Sequence, residues 1–360
     1  MKRRIDLGLL YSRSGSYALI SEASLAGALS AIAEINADPA LPIHFTPVIR
    51  DPAGNADAYG PLCEEILRDS SARHVVGCVT SWSRKEVIPS LEKLGGTLWY
   101  ALPYEGFEAS DHVVYTHACP NQHLLPLLDW AMPAHGRRVY LTGSNYIWGW
   151  EINRLARMTV TAAGGEVLGE RYLPIGAVDV ERIIDEIRAT CPDFVLNSLV
   201  GASSYAFLHA YHQLGLTDPR FAPDRCPMLS CNLTECELPP LGEAAEGLIA
   251  AGPYFRGSES GPDNDRFGSS HEAASHAAVI ELARLLALHG EGSESWPLSR
   301  LLEGAGGPVD PETHHTALPV IIAQVRQGAF RVIQHRGAVM GDPFLSRNQS
   351  SAALPLRVVS

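Results

Sequence analysis

The sequence predicts an α/β protein made of two doubly wound, Rossmann-like lobes with a ligand cleft between them. The chain has 360 residues, and this length exceeds what one ordinary hydrophobic core supports. Hydrophobic residues make up 46% of the sequence, enough for two cores. Strand-like and helix-like segments alternate along it, and such alternation is typical of a parallel sheet covered by helices. The alternation restarts after Cys119 and Pro120, which predicts a second copy of the same architecture.

The elements of the first copy follow from hydrophobic periodicity. Apolar runs bounded by turn residues predict strands, and apolar residues at helical spacing predict helices. Leu25, Leu29 and Ile32 share one helical face, and Gly95 with Gly96 ends a later helix. In chain order the predicted elements are strand 5–10, helix 25–35, strand 44–49, helix 57–68, strand 74–78, helix 84–94 and strand 97–100.

The second copy has the same pattern, and further strand and helix material follows it. A polar stretch at residues 256–270 interrupts this later part, and no strand or helix pattern is recognisable beyond Gly341. The predicted elements are strand 139–142, helix 151–163, strand 166–173, helix 180–187, strand 194–200, helix 205–214, strand 247–254, helix 276–289 and a hairpin of strands 320–324 and 330–334.

This element order predicts how the chain divides between the lobes. Because strand and helix material continues after the second copy, we expect the chain to cross between the lobes more than once. We assign residues 1–118 and 253–318 to lobe I and residues 119–252 and 319–340 to lobe II. Residues 341–360 are predicted to form a C-terminal tail, and the site is expected between the lobes.

Charge and cysteine content exclude some function classes. A net charge of −12 argues against direct contact with nucleic acid, because phosphates are bound by clustered Lys and Arg. The seven scattered cysteines suit a reducing compartment, although a bridge between Cys63 and Cys78 stays open. The apolar run at the amino terminus is short for a secretory signal. The sequence contains no run of about 18 apolar residues, so it predicts no membrane span. We expect a cytoplasmic location, with the periplasm as the alternative.

No motif in the sequence supplies the groups that an enzyme needs. His271 and His276 are five positions apart. They are therefore about 140° apart around a helix and cannot share one metal ion. The glycines at residues 304–307 lack the Lys and Ser or Thr of a phosphate-binding loop. We therefore expect no catalysis, no metal and no cofactor.

Polar and aromatic residues instead follow the predicted strands, at the sheet edge where open α/β proteins form their ligand crevice. Tyr146 and Trp148 follow one strand, Ser81 another, and Tyr104 and Glu105 a third. The Ser81 hydroxyl either caps the following helix or contacts a ligand. The aromatic rings either plug the top of the sheet or line the crevice.

Several of these segments resemble a known family of small-molecule receptors. The segments are residues 76–78, 83–89, 103–108, 120–122 and 143–148. They are similar to the short-chain amide and urea receptors of the type I periplasmic-binding fold, and the likeness runs from residue 5 to residue 334. The most similar branch is a cytoplasmic amide sensor, which represses an aliphatic amidase operon by holding an RNA-binding antiterminator silent.

The resemblance implies a two-lobed clamp that closes on a small amide and catalyses nothing. In this chain, Val79 stands where the amide sensors have an aromatic residue, Leu102 where they have Thr, and Trp148 where Tyr is usual. These changes make the pocket wall more apolar and alter its volume, which argues against acetamide itself; a larger or more hydrophobic amide, a nitrile-pathway product or a urea derivative fits as well. The predicted ligand-binding residues are Val79, Ser81, Tyr100, Leu102, Pro103, Tyr104, Glu105, Tyr146, Trp148 and Val200.

The residues themselves agree with an uncharged ligand. Arg84 and Lys85 are the only cations near the candidate strand ends, and we expect both to face solvent from the helix that follows. A carboxylate ligand would need a cationic fork or helix-start donors, whereas an amide needs one donor and one acceptor within apolar walls.

The predicted function is therefore non-catalytic sensing of a small neutral amide or urea-like ligand for a transcription-antitermination or similar regulator. An RNA-binding antiterminator is the protein partner that this function implies, and a homodimer is left open. The alternative is the substrate-binding receptor of an ABC transporter for amides, urea or branched-chain amino acids.

Overall fold

A computed structural model describes residues 2–108, 110–258 and 265–346. The strands are β1 (Arg3–Leu10), β2 (Ile43–Arg50), β3 (His74–Gly77), β4 (Thr97–Tyr100), β5 (Val113–Tyr115), β6 (Arg138–Ser144), β7 (Glu166–Leu173), β8 (Phe194–Ser198), β9 (Met228–Ser230), β10 (Ile249–Gly252), β11 (Leu318–Arg326) and β12 (Ala329–Val339). The helices are α1 (Ala18–Ala37), α2 (Tyr59–Asp69), α3 (Ser81–Leu94), α4 (Leu124–His135), α5 (Ile147–Ala162), α6 (Glu181–Thr190), α7 (Gly201–Thr217), α8 (Leu238–Leu241), α9 (Ser270–His289) and α10 (Leu298–Leu302).

These elements form two α/β lobes, as the sequence predicts. The sheet of lobe I has the order β2-β1-β3-β4-β5, and all its strands are parallel. Strands β3, β4 and β5 are buried along their whole length, as expected for parallel strands with helices on both faces. The prediction of doubly wound α/β architecture is confirmed.

The sheet of lobe II has the order β12-β11-β10-β9-β8-β6-β7. Strands β6 to β10 are parallel, whereas β11 and β12 form an antiparallel hairpin at one edge. Gln327 and Gly328 turn this hairpin with φ of 56° and 73°, as a tight two-residue turn requires. Two separate clusters of buried apolar side chains lie in this lobe, so helices again cover both faces of the sheet.

Helix α1 packs closely against α9 in the core of lobe I. A Cβ atom on Gly27 would lie 2.1 Å from the carbonyl oxygen of Glu272, so only glycine allows the two helices to approach this closely. Among the described residues, α1 is the one helix with the length and hydropathy of a membrane span, which the sequence analysis did not predict. Its apolar character is explained by its contact with α9, because Ala28, Ala31 and Ile35 are fully buried in the lobe I core.

The chain passes between the two sheets three times: between β5 and β6, after β10, and before β11. Tyr115 and His315 form an isolated parallel bridge, so the first and third passages run side by side. The predicted lobe boundaries remain a proposal consistent with this strand order. Of the predicted tail, residues 347–360 lie outside the described residues, as do residues 259–264 of the polar stretch.

Candidate functional site

A cavity of about 30 Å³ lies between the lobes, at the carboxyl ends of strands from both sheets. A volume of this order holds roughly two or three water-sized groups. Most of the predicted ligand-binding residues line it: Val79, Ser81, Tyr100, Leu102, Pro103, Tyr146, Trp148 and Val200.

The two remaining predicted residues, Tyr104 and Glu105, lie behind the cavity wall. The Tyr104 hydroxyl donates to the Glu108 carbonyl oxygen at 2.8 Å, and Glu105 contacts the cavity only through Ser81. Sequence reasoning missed four residues of the lining, which are Ile20, Thr80, Asn232 and His271. The sequence points to His271 only through its spacing from His276, as a metal-ligand pattern.

Ser81 is the first residue of α3 and does not cap it. The cap is Thr80, whose Oγ1 accepts from the Ser83 backbone amide at 3.1 Å, while Ser83 Oγ accepts from the Thr80 amide at 3.0 Å. This reciprocal pair starts the helix three residues before the predicted position 84. The Ser81 hydroxyl is therefore available for another partner, and it donates to Glu105 Oε2 at 2.7 Å.

The sequence predicts that Arg84 faces solvent, and this prediction is wrong. The Arg84 side chain is 0% exposed. Its guanidinium donates to Glu105 Oε1 at 2.6 Å and to Glu108 Oε1 at 2.8 Å. It also lies over the Tyr100 and Tyr104 rings, with Cζ 4.8 and 4.7 Å from the ring centroids. Burial would lower the pKa of Arg84, but the two carboxylates outweigh it and raise the pKa well above its ordinary value.

Lys85 completes this cluster and is only partly exposed, with 39% of its side chain accessible. Its ammonium pairs with Glu108, whose carboxylate therefore bridges Lys85 and Arg84. Burial alone would raise the pKa of Glu108, but the two cations lower it to about 2. The cluster thus contains two cations and two carboxylates, so these four side chains carry no net charge together.

Two polar groups in the cavity wall lack a well-aligned hydrogen-bond partner within the described part of the chain. The indole Nε1 of Trp148 is buried with no hydrogen-bond acceptor. Neither ring nitrogen of His271 makes a well-aligned hydrogen bond. Burial lowers the pKa of His271 to about 3, with a small opposing effect from the Asn232 backbone, so the ring stays neutral. A guest in the cavity can satisfy such orphaned groups.

The lobes also touch across the cleft outside the cavity, and two of these contacts are well defined. Gly201, at the start of α7 in lobe II, contacts Ser16 in the loop between β1 and α1 of lobe I. The guanidinium of Arg154 on α5 lies 4.8 Å from the centre of the Phe107 ring, which belongs to the loop between β4 and β5. These contacts describe a clamp with its lobes together.

Buried neutral histidines make the fold sensitive to acid. Burial lowers the pKa of His74 and His123 to about 4, and that of His315 likewise to about 4. In the unfolded chain each of these rings takes up a proton near pH 6.5, whereas in the folded protein it stays neutral down to about pH 4. Protonation therefore favours the unfolded chain, and the free energy of unfolding falls as the pH decreases from about 6.5 towards 4. Glu237 opposes this trend, because burial raises its pKa to about 7 and its folded form keeps a proton that the unfolded form releases above pH 4.5.

We therefore expect His74→Gln to reduce the pH dependence of the free energy of unfolding between pH 6.5 and 5 by about one proton, or roughly 1.4 kcal/mol per pH unit. Glutamine can still accept the hydrogen bond that Trp99 Nε1 donates to His74 Nδ1 at 3.3 Å. Urea unfolding at several pH values measures the slope. An unchanged slope in the variant would show that His74 is protonated in the folded protein.

Within the described residues, no cluster of His, Cys, Asp or Glu side chains is arranged to hold a metal ion. His276 faces away from the cavity and bonds to Glu34 Oε2 at 2.9 Å, so it does not meet His271 at a shared ligand position. Cys63 and Cys78 are free thiols, and burial raises the pKa of Cys63 to about 12. Both are poor nucleophiles in this state.

Comparison with known proteins gives one family and many similar structures. The family model described as "Periplasmic binding protein domain" matches residues 5–284. A solute binding protein of an ABC transporter from R. palustris, in complex with 4-hydroxybenzoate, has a TM-score of 0.80 at 18% identity, covering 96% of this chain and 100% of that one. The branched-chain amino acid transporter substrate binding protein from Streptococcus pneumoniae, in complex with isoleucine, has a TM-score of 0.76 at 15% identity, covering 94% and 100%.

A third structure extends the pattern. The amino acid ABC transporter substrate-binding protein from Pseudomonas fluorescens has a TM-score of 0.76 at 17% identity, covering 96% of this chain and 98% of that one. At such identities the likeness establishes the shared fold of two lobes. The ligand of this chain has to be argued from its own cavity.

Proposed function

The chain belongs to the periplasmic binding protein domain family, and from this premise we propose that it is the solute-binding receptor of an ABC transporter for a small, uncharged amide-type or urea-like solute. The solute is held between the lobes and is not chemically changed. The three similar structures named above are all transporter binding proteins, which supports the transporter role over the sensor role. Such a receptor acts in the periplasm, so we favour that location over the cytoplasm.

The observation that carries the choice of ligand is the electroneutral wall of the cavity. Among the described residues, Arg84 is the cation directly behind the wall, and it is fully engaged by Glu105 and Glu108. A carboxylate such as 4-hydroxybenzoate or isoleucine would therefore give up its water without meeting a free cation, which is costly in a buried site. An amide carries no charge, so its transfer into the cavity avoids this penalty.

The size of the cavity supports the same choice. Room for roughly two or three water-sized groups suits a guest with a few heavy atoms better than a benzoate ring. Tyr146 and Trp148 contribute ring surface from lobe II, and Val79 and Leu102 contribute aliphatic surface from lobe I. These walls favour a compact solute with an apolar part.

The sensor function is the second candidate, and its support is the resemblance of residues 103–108 to the amide sensors. It has the same pocket and differs in location and partner, since it requires an antiterminator protein. Osmotic-shock fractionation of cells that make the natural protein separates the two. Release with the periplasmic fraction supports the receptor, and retention in the cytoplasm supports the sensor.

A thermal-shift panel tests the ligand class. Because a ligand that binds only the folded protein stabilises it by about 2.7 kcal/mol at 100 times Kd, binding is visible as a rise in Tm. We expect acetamide, propionamide or urea to raise Tm, and 4-hydroxybenzoate and isoleucine to have no effect. A rise with either carboxylate and none with the neutral solutes would refute the proposal.

Trp148→Phe should weaken binding of the preferred amide about tenfold, because it removes the unpartnered indole N–H and leaves a buried acceptor on the solute unpaired. Trp150→Phe is the matched control, since Trp150 is 47% exposed and its Nε1 donates to Asn145 outside the cavity. Titration calorimetry measures both. Equal affinities for the two variants would remove Trp148 from the binding site.

A further inference from the structure

We infer that Glu105 is a specificity-determining residue: by taking the Ser81 proton it makes the Ser81 hydroxyl an obligate acceptor, so the site selects solutes that donate an N–H. The inference rests on the proposed function and specifies the chemistry of the solute. It distinguishes amides and ureas from esters, ketones and carboxylates of similar size. Glu105 acts through Ser81 and is a positioning residue that need not touch the solute.

The first step is the direction of the hydrogen bond between Ser81 and Glu105. Ser81 Oγ lies 2.7 Å from Glu105 Oε2, and both side chains are about 1% exposed. Glu105 is the direct partner of the Arg84 guanidinium, which donates to Oε1 at 2.6 Å and approaches Oε2 at 3.4 Å. A carboxylate held by a permanently charged arginine offers only acceptors, so the hydroxyl of Ser81 has to be the donor.

The second step is that this proton cannot be redirected cheaply. Turning the Ser81 hydroxyl towards the cavity would break a buried hydrogen bond to a charged group. A hydrogen bond to a charged group is stronger than one between neutral groups, and both side chains are buried, so its loss would leave the Glu105 carboxylate short of a donor. The Ser81 oxygen therefore presents only lone pairs to the cavity, which it lines.

The third step is the consequence for the solute. An N–H group placed against Ser81 gains a hydrogen bond, whereas a carbonyl or carboxylate oxygen there faces lone pairs and, behind them, the Glu105 carboxylate. Trp148 also lines the cavity, and its buried Nε1 lacks an acceptor among the described residues, so it is the donor that we assign to the carbonyl oxygen of the solute. A primary amide or urea satisfies both positions at once, whereas an ester of the same shape satisfies one.

Titration calorimetry of the unmodified protein is the first test. We expect acetamide or propionamide to bind at least about tenfold more tightly than methyl acetate or methyl propionate, and acetate and propionate to bind no better than the esters. Equal affinity for the amide and its ester would overturn the inference but leave the proposed function intact. Failure of both amides and of urea to bind would overturn the proposed function, and the inference with it.

The second test exchanges the acceptor for a donor. In Glu105→Gln the amide oxygen can accept from Arg84 and the NH₂ can donate to Ser81, so the Ser81 proton is free to turn into the cavity. We expect the preference for amide over ester to fall at least about tenfold. An unchanged preference in a folded Glu105→Gln protein would contradict the inference.

Glu108→Gln is the matched control, because it removes the same charge from the same arginine without touching Ser81. We expect it to retain the ratio of amide to ester affinity even where the absolute affinity changes. If Glu105→Gln does not fold, Ser81→Ala gives the same information. Loss of the acceptor should weaken amide binding about tenfold and leave ester binding unchanged, and parallel weakening of both would count against the inference.

Discussion

Gly201→Ala is expected to weaken solute binding about 100-fold or more, equivalent to at least about 2.8 kcal/mol, while the protein stays folded. A Cβ atom at this position would lie 2.1 Å from the Ser16 carbonyl oxygen and 3.0 Å from its carbonyl carbon. Both are backbone atoms of the opposite lobe, so no side-chain rotation relieves the contact. The lobes have to move apart, and the residues of the two cavity walls no longer meet around the solute.

The natural control for this substitution is Gly242→Ala. Gly242 and Gly201 both have positive φ, 51° and 57°, so alanine is strained at either position. No atom lies within 4 Å of a Cβ built on Gly242, in contrast to Gly201. We expect both variants to lose stability through backbone strain and only Gly201→Ala to lose binding, as measured by calorimetry. Wild-type affinity in Gly201→Ala would show that the lobes need not approach.

Arg84→Met is expected to lower the free energy of unfolding by about 3–5 kcal/mol, because it leaves the buried Glu105 carboxylate without a cation and leaves Glu108 with Lys85 alone. Glu105 is 1% exposed at its side chain and Glu108 is 13% exposed, so neither is well solvated. The change also removes the guanidinium from the Tyr100 and Tyr104 rings. Urea unfolding measures the loss.

Arg188→Met is the surface control for this measurement. Arg188 pairs with Asp185 at 3.1 Å, but the two side chains are 50% and 71% exposed, and such pairs contribute little. We expect a change within about 0.5 kcal/mol. A similarly small effect of Arg84→Met would mean that water reaches the cluster of Arg84, Glu105 and Glu108. The argument that the cavity wall is buried and electrically neutral would then fail.

The fold could be predicted from the sequence because long parallel strands and amphipathic helices leave a clear periodic signal. The elements that were missed are those that carry little periodicity. Strands β5 and β9 have three residues each, too few to establish a pattern. Helix α4 contains Pro126 and Pro133, which read as breaks, although Pro126 lies in the first turn where no amide donor is needed.

The site was predictable in part, because aromatic and hydroxyl residues at strand ends point to the crevice. The missing part was the charge cluster behind the wall. A cation at the start of a helix is usually solvated, and nothing in residues 81–94 shows that a later loop returns to cover Arg84. Glu105 and Glu108, spaced three residues apart after β4, were the available signal, but their pairing with Arg84 is a tertiary contact.

Small-angle X-ray scattering with and without the amide that gives the largest Tm rise tests the central claim, that the lobes close on an uncharged solute. We predict that the radius of gyration of the wild-type protein decreases on saturation and that Gly201→Ala stays extended under the same conditions. Binding of the amide confirmed by calorimetry, together with an unchanged radius of gyration in a protein that is open at the start, would contradict it.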